Sequence, residues 1–101
     1  MILDNINSLD EELLKPMTLV ITKTHTCSVC QNIVSFIQER VPHFDQLNVI
    51  EIYLDDFDEL KGKFMIFTVP TVMFYHEGKE ILRESRFINT DKINRLIEMM
   101  Q

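Results

Sequence analysis

The stretch Met17-Thr18-Leu19-Val20-Ile21-Thr22-Lys23-Thr24-His25-Thr26-Cys27-Ser28-Val29-Cys30 decides how this chain is read. Its first part carries Leu19, Val20 and Ile21 without alternation, which is what a strand buried on both faces needs, as in a parallel sheet. A strand over Met17–Lys23 is therefore expected, with Thr22–Thr26 turning into a loop. From Cys27 onward, Val29, Ile33, Val34, Phe36, Ile37 and Val41 keep helical spacing until Pro42 stops the pattern. A strand thus delivers two thiols to the start of a helix. Residues three apart share a helix face, so Cys30 is expected one turn behind Cys27, within disulfide reach. The partial positive charge and free N–H groups of a helix start favour a thiolate at Cys27.

Working outward, Asn48–Leu54 alternates, with Ile50, Ile52 and Leu54 on one face and Val49, Glu51 and Tyr53 on the other. Strand, helix and strand in this order predict a right-handed βαβ unit with a parallel sheet. A short helix follows at Asp58-Glu59-Leu60-Lys61, breaking near Gly62. Val72-Met73-Phe74-Tyr75, the turn His76-Glu77-Gly78-Lys79 and Glu80-Ile81-Leu82-Arg83 read as a hairpin, with Pro70 at the head of its first strand because it cannot donate to a ladder. The last helix takes Asn89 as N-cap, Ile88 and Ile93 as a hydrophobic staple, and Ile93, Leu96, Ile97 and Met100 as its core face. Upstream, Ser8 and Glu11 read as a capping box for a helix over Leu9–Lys15, ended by Pro16.

The 101 residues are expected to form a single domain spanning 1–101. Apolar residues at 46% and charged ones at 26% are ordinary for a globular chain, and no apolar run approaches the ~20 residues of a membrane span. Met1-Ile2-Leu3-Asp4-Asn5 lacks the basic and apolar regions of a signal peptide, so a cytoplasmic location is expected. There two lone cysteines stay reduced, which favours a catalytic or metal-binding role over a structural disulfide. The net charge of −6 argues against nucleic acid. Between Phe44 and Leu60 stand Asp45, Glu51, Asp55, Asp56, Asp58 and Glu59 with no Lys or Arg, a stretch expected to be a solvated edge.

Taken together, the order helix, strand, C-x-x-C helix, strand, short helix, strand, turn, strand, helix resembles the thioredoxin family over nearly the whole chain. Val69-Pro70-Thr71, followed by an apolar strand and by Gly78 eight residues after Pro70, is similar to that family's cis-proline and strand turn. Ser85-Arg86-Phe87 stands where a glutaredoxin would show a Gly-Gly pair. The resemblance implies an α/β thioredoxin fold, a central mixed β-sheet flanked by helices. It also implies that Pro70 is cis and packs against the dithiol, and that the Val69 backbone pairs with an extended substrate. Thr26 and Arg86 complete the substrate-binding residues it suggests.

The departures are as informative. Thr26-Cys27-Ser28-Val29-Cys30 replaces the family's usual Trp-Cys-Gly-Pro-Cys, and the chain has no Trp, so the familiar aromatic platform is absent. Ile21 stands at the place of the family's buried Asp, six residues before Cys27, and Glu51 at the place of its Lys partner. Glu51 is expected in water at the sheet edge, with a substitute proton carrier as the second reading. Arg86 falls where the substrate groove has Gly.

The expected function is that of a thiol–disulfide oxidoreductase reducing protein disulfides, with Cys27 as nucleophile and Cys30 resolving the mixed disulfide. Its implied partners are disulfide-containing proteins and an electron-donating reductase; no cofactor is called for, and a monomer is expected. Two rivals stand beside it. One is a thioredoxin-fold module that binds a protein partner without turnover. The other is a zinc site using His25, Cys27 and Cys30, which lacks a fourth ligand. His25 is otherwise expected as a solvated loop histidine, two residues from Cys27.

Overall fold

Six consecutive buried residues, Thr18–Lys23 (β1), form one of the two inner strands of a four-stranded sheet. The computed structural model describes residues 1–101. Strand order is β2-β1-β3-β4. Asn48–Tyr53 (β2) runs parallel to β1 in the register Thr18 to Asn48 through Lys23 to Tyr53, as the βαβ reading expects. Thr71–His76 (β3) runs antiparallel on the other side of β1 and pairs with Lys79–Ser85 (β4) as a hairpin. The sheet is therefore mixed.

Burial on both faces of β1 comes from two separate helix layers. Leu19 and Ile21 face Ile33 and Ile37 of α2 (Ile33–Arg40) together with Ile93 and Ile97 of the last helix (Thr90–Met100), in one core cluster that includes Phe74. Val20 points the other way, into a cluster with Leu9 and Leu13 of α1 (Leu9–Leu13) and Leu60 of α3 (Glu59–Lys63). The last helix becomes α4. Its start is as read: the Asn89 side chain accepts from the N–H groups of Asp91 and Lys92, and Ile88 and Ile93 share a core cluster.

Several boundaries differ from the sequence reading. The first helix is preceded by a 3-10 turn, Ile6–Ser8, capped by Asn5, whose Oδ1 accepts from the N–H of Asn7. Ser8 is already helical in backbone and makes no side-chain cap, so the capping box does not form. The helix ends at Leu13, two residues before Lys15. The segment after the first cysteine is a 3-10 turn over Val29–Asn32 before α2 proper, which leaves Cys27 outside the helix. Pro70 stands just before β3 instead of opening it. The short helix α3 ends at Lys63, one residue past Gly62, as expected.

The hairpin turn needs its glycine. Glu77 and Gly78 both adopt positive φ, 48° and 89°, the pattern of a two-residue type I′ turn. A Cβ on Gly78 would also come within 3.1 Å of Leu14 Cδ2. At the far edge, backbone hydrogen bonds from Leu3 N to Glu51 O and from Glu51 N to Met1 O, each 2.8 Å, lay the amino terminus along β2 and cover an otherwise open edge. No helix is long and apolar enough to cross a membrane.

Three groups in this fold titrate above their ordinary values. Burial, with the charge of Glu80, pushes the Tyr75 hydroxyl up to about 12. A hydrogen bond to Glu80 raises Arg83 despite burial. Burial alone would lower Lys23, but its hydrogen bond and charge pairing with Glu51 outweigh that and raise it. Each folded value lies above the unfolded one, so each contribution is complete below the unfolded value and is lost as pH rises through the folded one. The urea midpoint is therefore expected to fall from about pH 10 upward, Tyr75 alone contributing roughly 2–3 kcal/mol. Tyr75→Phe should flatten much of that slope. A midpoint constant to about pH 12 would contradict the assignment.

Candidate active site

Cys27 and Cys30 are joined by a disulfide, with their Cα atoms 5.3 Å apart. Two backbone hydrogen bonds hold the loop that presents them: Cys27 N donates to Thr24 O at 3.3 Å and Cys30 N to Cys27 O at 3.2 Å. The two sulfurs are not equivalent. Cys30 is fully buried, whereas Cys27 is only half-buried. A thiol at Cys27 is thus open to a partner molecule, and one at Cys30 is open chiefly to Cys27.

The segment before β3 comes to the same end of the sheet. The Val69-Pro70 peptide bond is cis, and Pro70 is buried. Neither the N–H nor the C=O of half-buried Val69 takes part in the backbone hydrogen bonding of the chain. That leaves a donor and an acceptor open to an incoming extended strand. Arg86 N donates to Pro70 O at 2.9 Å, so the segment after β4 is tied to the proline loop. Arg86 has a positive φ of 67°, the conformation in which Gly is relaxed and an L residue is strained by ~1 kcal/mol. The backbone shape of a glycine position is thus kept with an arginine in it. Val29, Pro70, Arg86 and Phe87 line one cleft of about 340 Å³. Thr26 stands exposed directly before Cys27.

An ionic and aromatic chain, not foreseen as a unit from the sequence, supports the loop. Lys23 is buried and paired with Glu51, and its Nζ lies 4.8 Å from the centre of the Tyr53 ring. Tyr53 stacks on His25, ring centres 3.9 Å apart and 5° from parallel. His25 Nε2 reaches Asp56 Oδ2 at 3.1 Å, and its backbone N–H donates to Asp55 Oδ2 at 3.1 Å. Glu51 is therefore not at large in solvent: its carboxylate is paired with Lys23. The signal that would have shown this is the register of β1 against β2, which sets Lys23 diagonal to Glu51 on one face.

His25 is exposed, as expected, but held. The metal-type donors that the structure gathers are those of His25, Asp55 and Asp56, within 4.8 Å of one another, and neither cysteine joins them. The zinc reading with His25, Cys27 and Cys30 therefore gains nothing from the geometry.

A thioredoxin family model matches residues 2–101. The chain belongs to the thioredoxin family. Among curated proteins it is similar to the thioredoxin-like protein YdfQ of Bacillus subtilis strain 168, 29% identical over 72 residues. That match spans 71% of this chain and 64% of the relative, less than two thirds of its length. Among solved structures, a mutant thioredoxin of Halobacterium salinarum NRC-1 superposes with a TM-score of 0.80 at 19% identity, over 99% of this chain and 88% of that one. The thioredoxin of Plasmodium falciparum gives 0.79 at 21% identity, over 99% and 98%. At such identities these likenesses establish the thioredoxin fold, a mixed sheet flanked by helices. The family, the fold and the cysteine pair at disulfide distance support a role of the thiol–disulfide oxidoreductase kind.

Proposed function

We propose that the protein reduces disulfides of other proteins, with Cys27 as nucleophile and Cys30 as resolving thiol. The observation that carries this is the unequal burial of the pair, half-buried Cys27 against fully buried Cys30. In the reduced protein, the Cys27 thiolate attacks one sulfur of a substrate disulfide. A bond forms from Cys27 Sγ to that sulfur, the substrate S–S bond breaks, and the departing thiolate takes a proton. Cys30, having given up its proton, then attacks Cys27 Sγ. The mixed disulfide breaks, the second substrate thiol leaves protonated, and Cys27–Cys30 remains oxidised. Two electrons have passed to the substrate, and a dithiol or flavin-type reductase must return them.

Substrate lies along Val69-Pro70, whose unpaired Val69 backbone suits an extended chain, with Thr26 and Arg86 bordering it. A monomer in the cytoplasm fits this use, since a reducing compartment keeps the pair charged with electrons. Turnover of a protein disulfide by wild type but not by Cys27→Ser tests the reading.

The binding-module reading rests on the absent Trp, buried Asp and Gly-Pro dipeptide. It differs in its response to the same change: partner affinity would survive loss of Cys27.

A further inference from the structure

Cys27 stands outside the 3-10 turn and α2, so the helical segment that fixes Cys30 does not fix its partner. Of Thr24–Thr26, the loop before it, His25 alone has a side chain engaged by a hydrogen bond or a ring contact. Both contacts go to the end of β2. The imidazole lies flat on Tyr53, the last residue of that strand, with ring centres 3.9 Å apart. Its Nε2 meets Asp56 Oδ2 at 3.1 Å in the turn Leu54–Asp56, and the His25 N–H donates to Asp55 Oδ2 of the same turn, also at 3.1 Å. Thr24, one residue earlier, accepts the N–H of Cys27. Three contacts on one residue thus join the Cys27 loop to β2 and its turn, and none of them uses a sulfur.

We propose that His25 is a positioning residue for the dithiol: clasped to Tyr53, Asp55 and Asp56, it holds Cys27 near Cys30 in the reduced protein and so favours closure of their disulfide. The inference rests on the redox reading above. Closure takes freedom from the loop, and ordering one residue's backbone costs roughly 1–2 kcal/mol. A loop already ordered by contacts that need no sulfur has less freedom left to lose, which raises the effective concentration of one thiol at the other. The same restraint acts in the mixed disulfide, where it keeps Cys27 Sγ within reach of Cys30, whose attack releases the substrate thiol. Exposure limits the size of the effect. The His25 and Asp56 side chains are 53% and 55% exposed, so their charge pairing alone adds little. The stack on Tyr53, whose ring also lies 4.8 Å from Lys23 Nζ, and the backbone bond to Asp55 add to it.

The test equilibrates the full chain with mixtures of reduced and oxidised dithiothreitol and reads the fraction of disulfide by alkylation. As the Cys27–Cys30 bond forms, two thiol protons and two electrons pass to oxidised dithiothreitol, which becomes the dithiol. In His25→Ala the equilibrium constant for closure is expected to fall about three- to tenfold, a midpoint less negative by about 15–30 mV. Asp56→Ala should move it the same way and Asp56→Glu should restore most of the loss. The double variant of His25→Ala and Asp56→Ala should shift by less than the sum of the two, because they remove one shared contact. Asp58→Ala, which also removes one acidic charge but from a surface pair with Lys61, should leave the midpoint in place. Since His25 and Asp56 are exposed, none of these changes endangers folding. A reversible wild-type transition with a midpoint unmoved in His25→Ala and Asp56→Ala overturns the clasp and leaves the redox reading standing. An equal shift in Asp58→Ala would assign the effect to net charge and overturn the clasp as well. Wild type that forms no disulfide at any ratio of the two dithiothreitol forms overturns the redox reading itself, and the clasp with it.

Discussion

Cys27→Ser is expected to reduce a protein disulfide such as that of insulin no faster than the added reductant alone. The substitution changes one atom, so packing is nearly untouched, but a serine hydroxyl is a weak nucleophile without an adjacent base and forms no disulfide. Cys30 cannot take over, because it is fully buried behind the Cys27 loop. Cys30→Ser should behave differently. Its Cys27 is still reachable, so the first attack proceeds and a mixed disulfide with substrate accumulates, visible as a mass gain that dithiothreitol removes. Wild-type turnover by Cys27→Ser would contradict the assignment of the nucleophile.

The second large effect concerns the residue where this chain leaves the family pattern. Ile21→Asp, which would restore the carboxylate expected there by resemblance, should destabilise the protein by roughly 4 kcal/mol or more. Ile21 is fully buried in one cluster with Ile33, Ile37, Val72 and Phe74, so the change loses the burial of a large aliphatic side chain and leaves an oxygen pair without partners. Lys23, two residues along the same strand, is already engaged by Glu51. Burial raises the carboxyl pKa, so the penalty should be smallest below about pH 4, where the group is neutral in both states, and should grow as pH rises. Ile21→Val, losing one methylene, should cost only about 0.5–1.5 kcal/mol. Urea unfolding of the two variants at about pH 4 and about pH 7 measures this. A nearly neutral Ile21→Asp in the higher-pH measurement would mean that Lys23 can change partners.

What the sequence disclosed follows from how local each signal is. The run Leu19-Val20-Ile21 is apolar on both faces because it is covered on both faces, so the inner strand was legible from composition alone. The cysteine spacing and Asn89 were legible for the same reason, each needing only residues within one turn. The cis bond at Pro70 followed from resemblance, since nothing in the residues themselves requires it. Other features depend on distant partners. The Lys23–Glu51 pair needs the β1–β2 register, and the laying of the N-terminal segment along β2 needs an open edge at Glu51. The delay of α2 to Ile33 reflects a tight 3-10 turn that spacing does not distinguish from α-helix.

The most direct test of the central claim is a redox titration of the purified protein against dithiothreitol buffers, reading Cys27–Cys30 oxidation by the mass added on alkylation, with Cys30→Ser as control. A reversible two-electron transition between roughly −220 and −320 mV, absent in Cys30→Ser, is the predicted result. Two thiols that stay alkylatable across the whole range would contradict it.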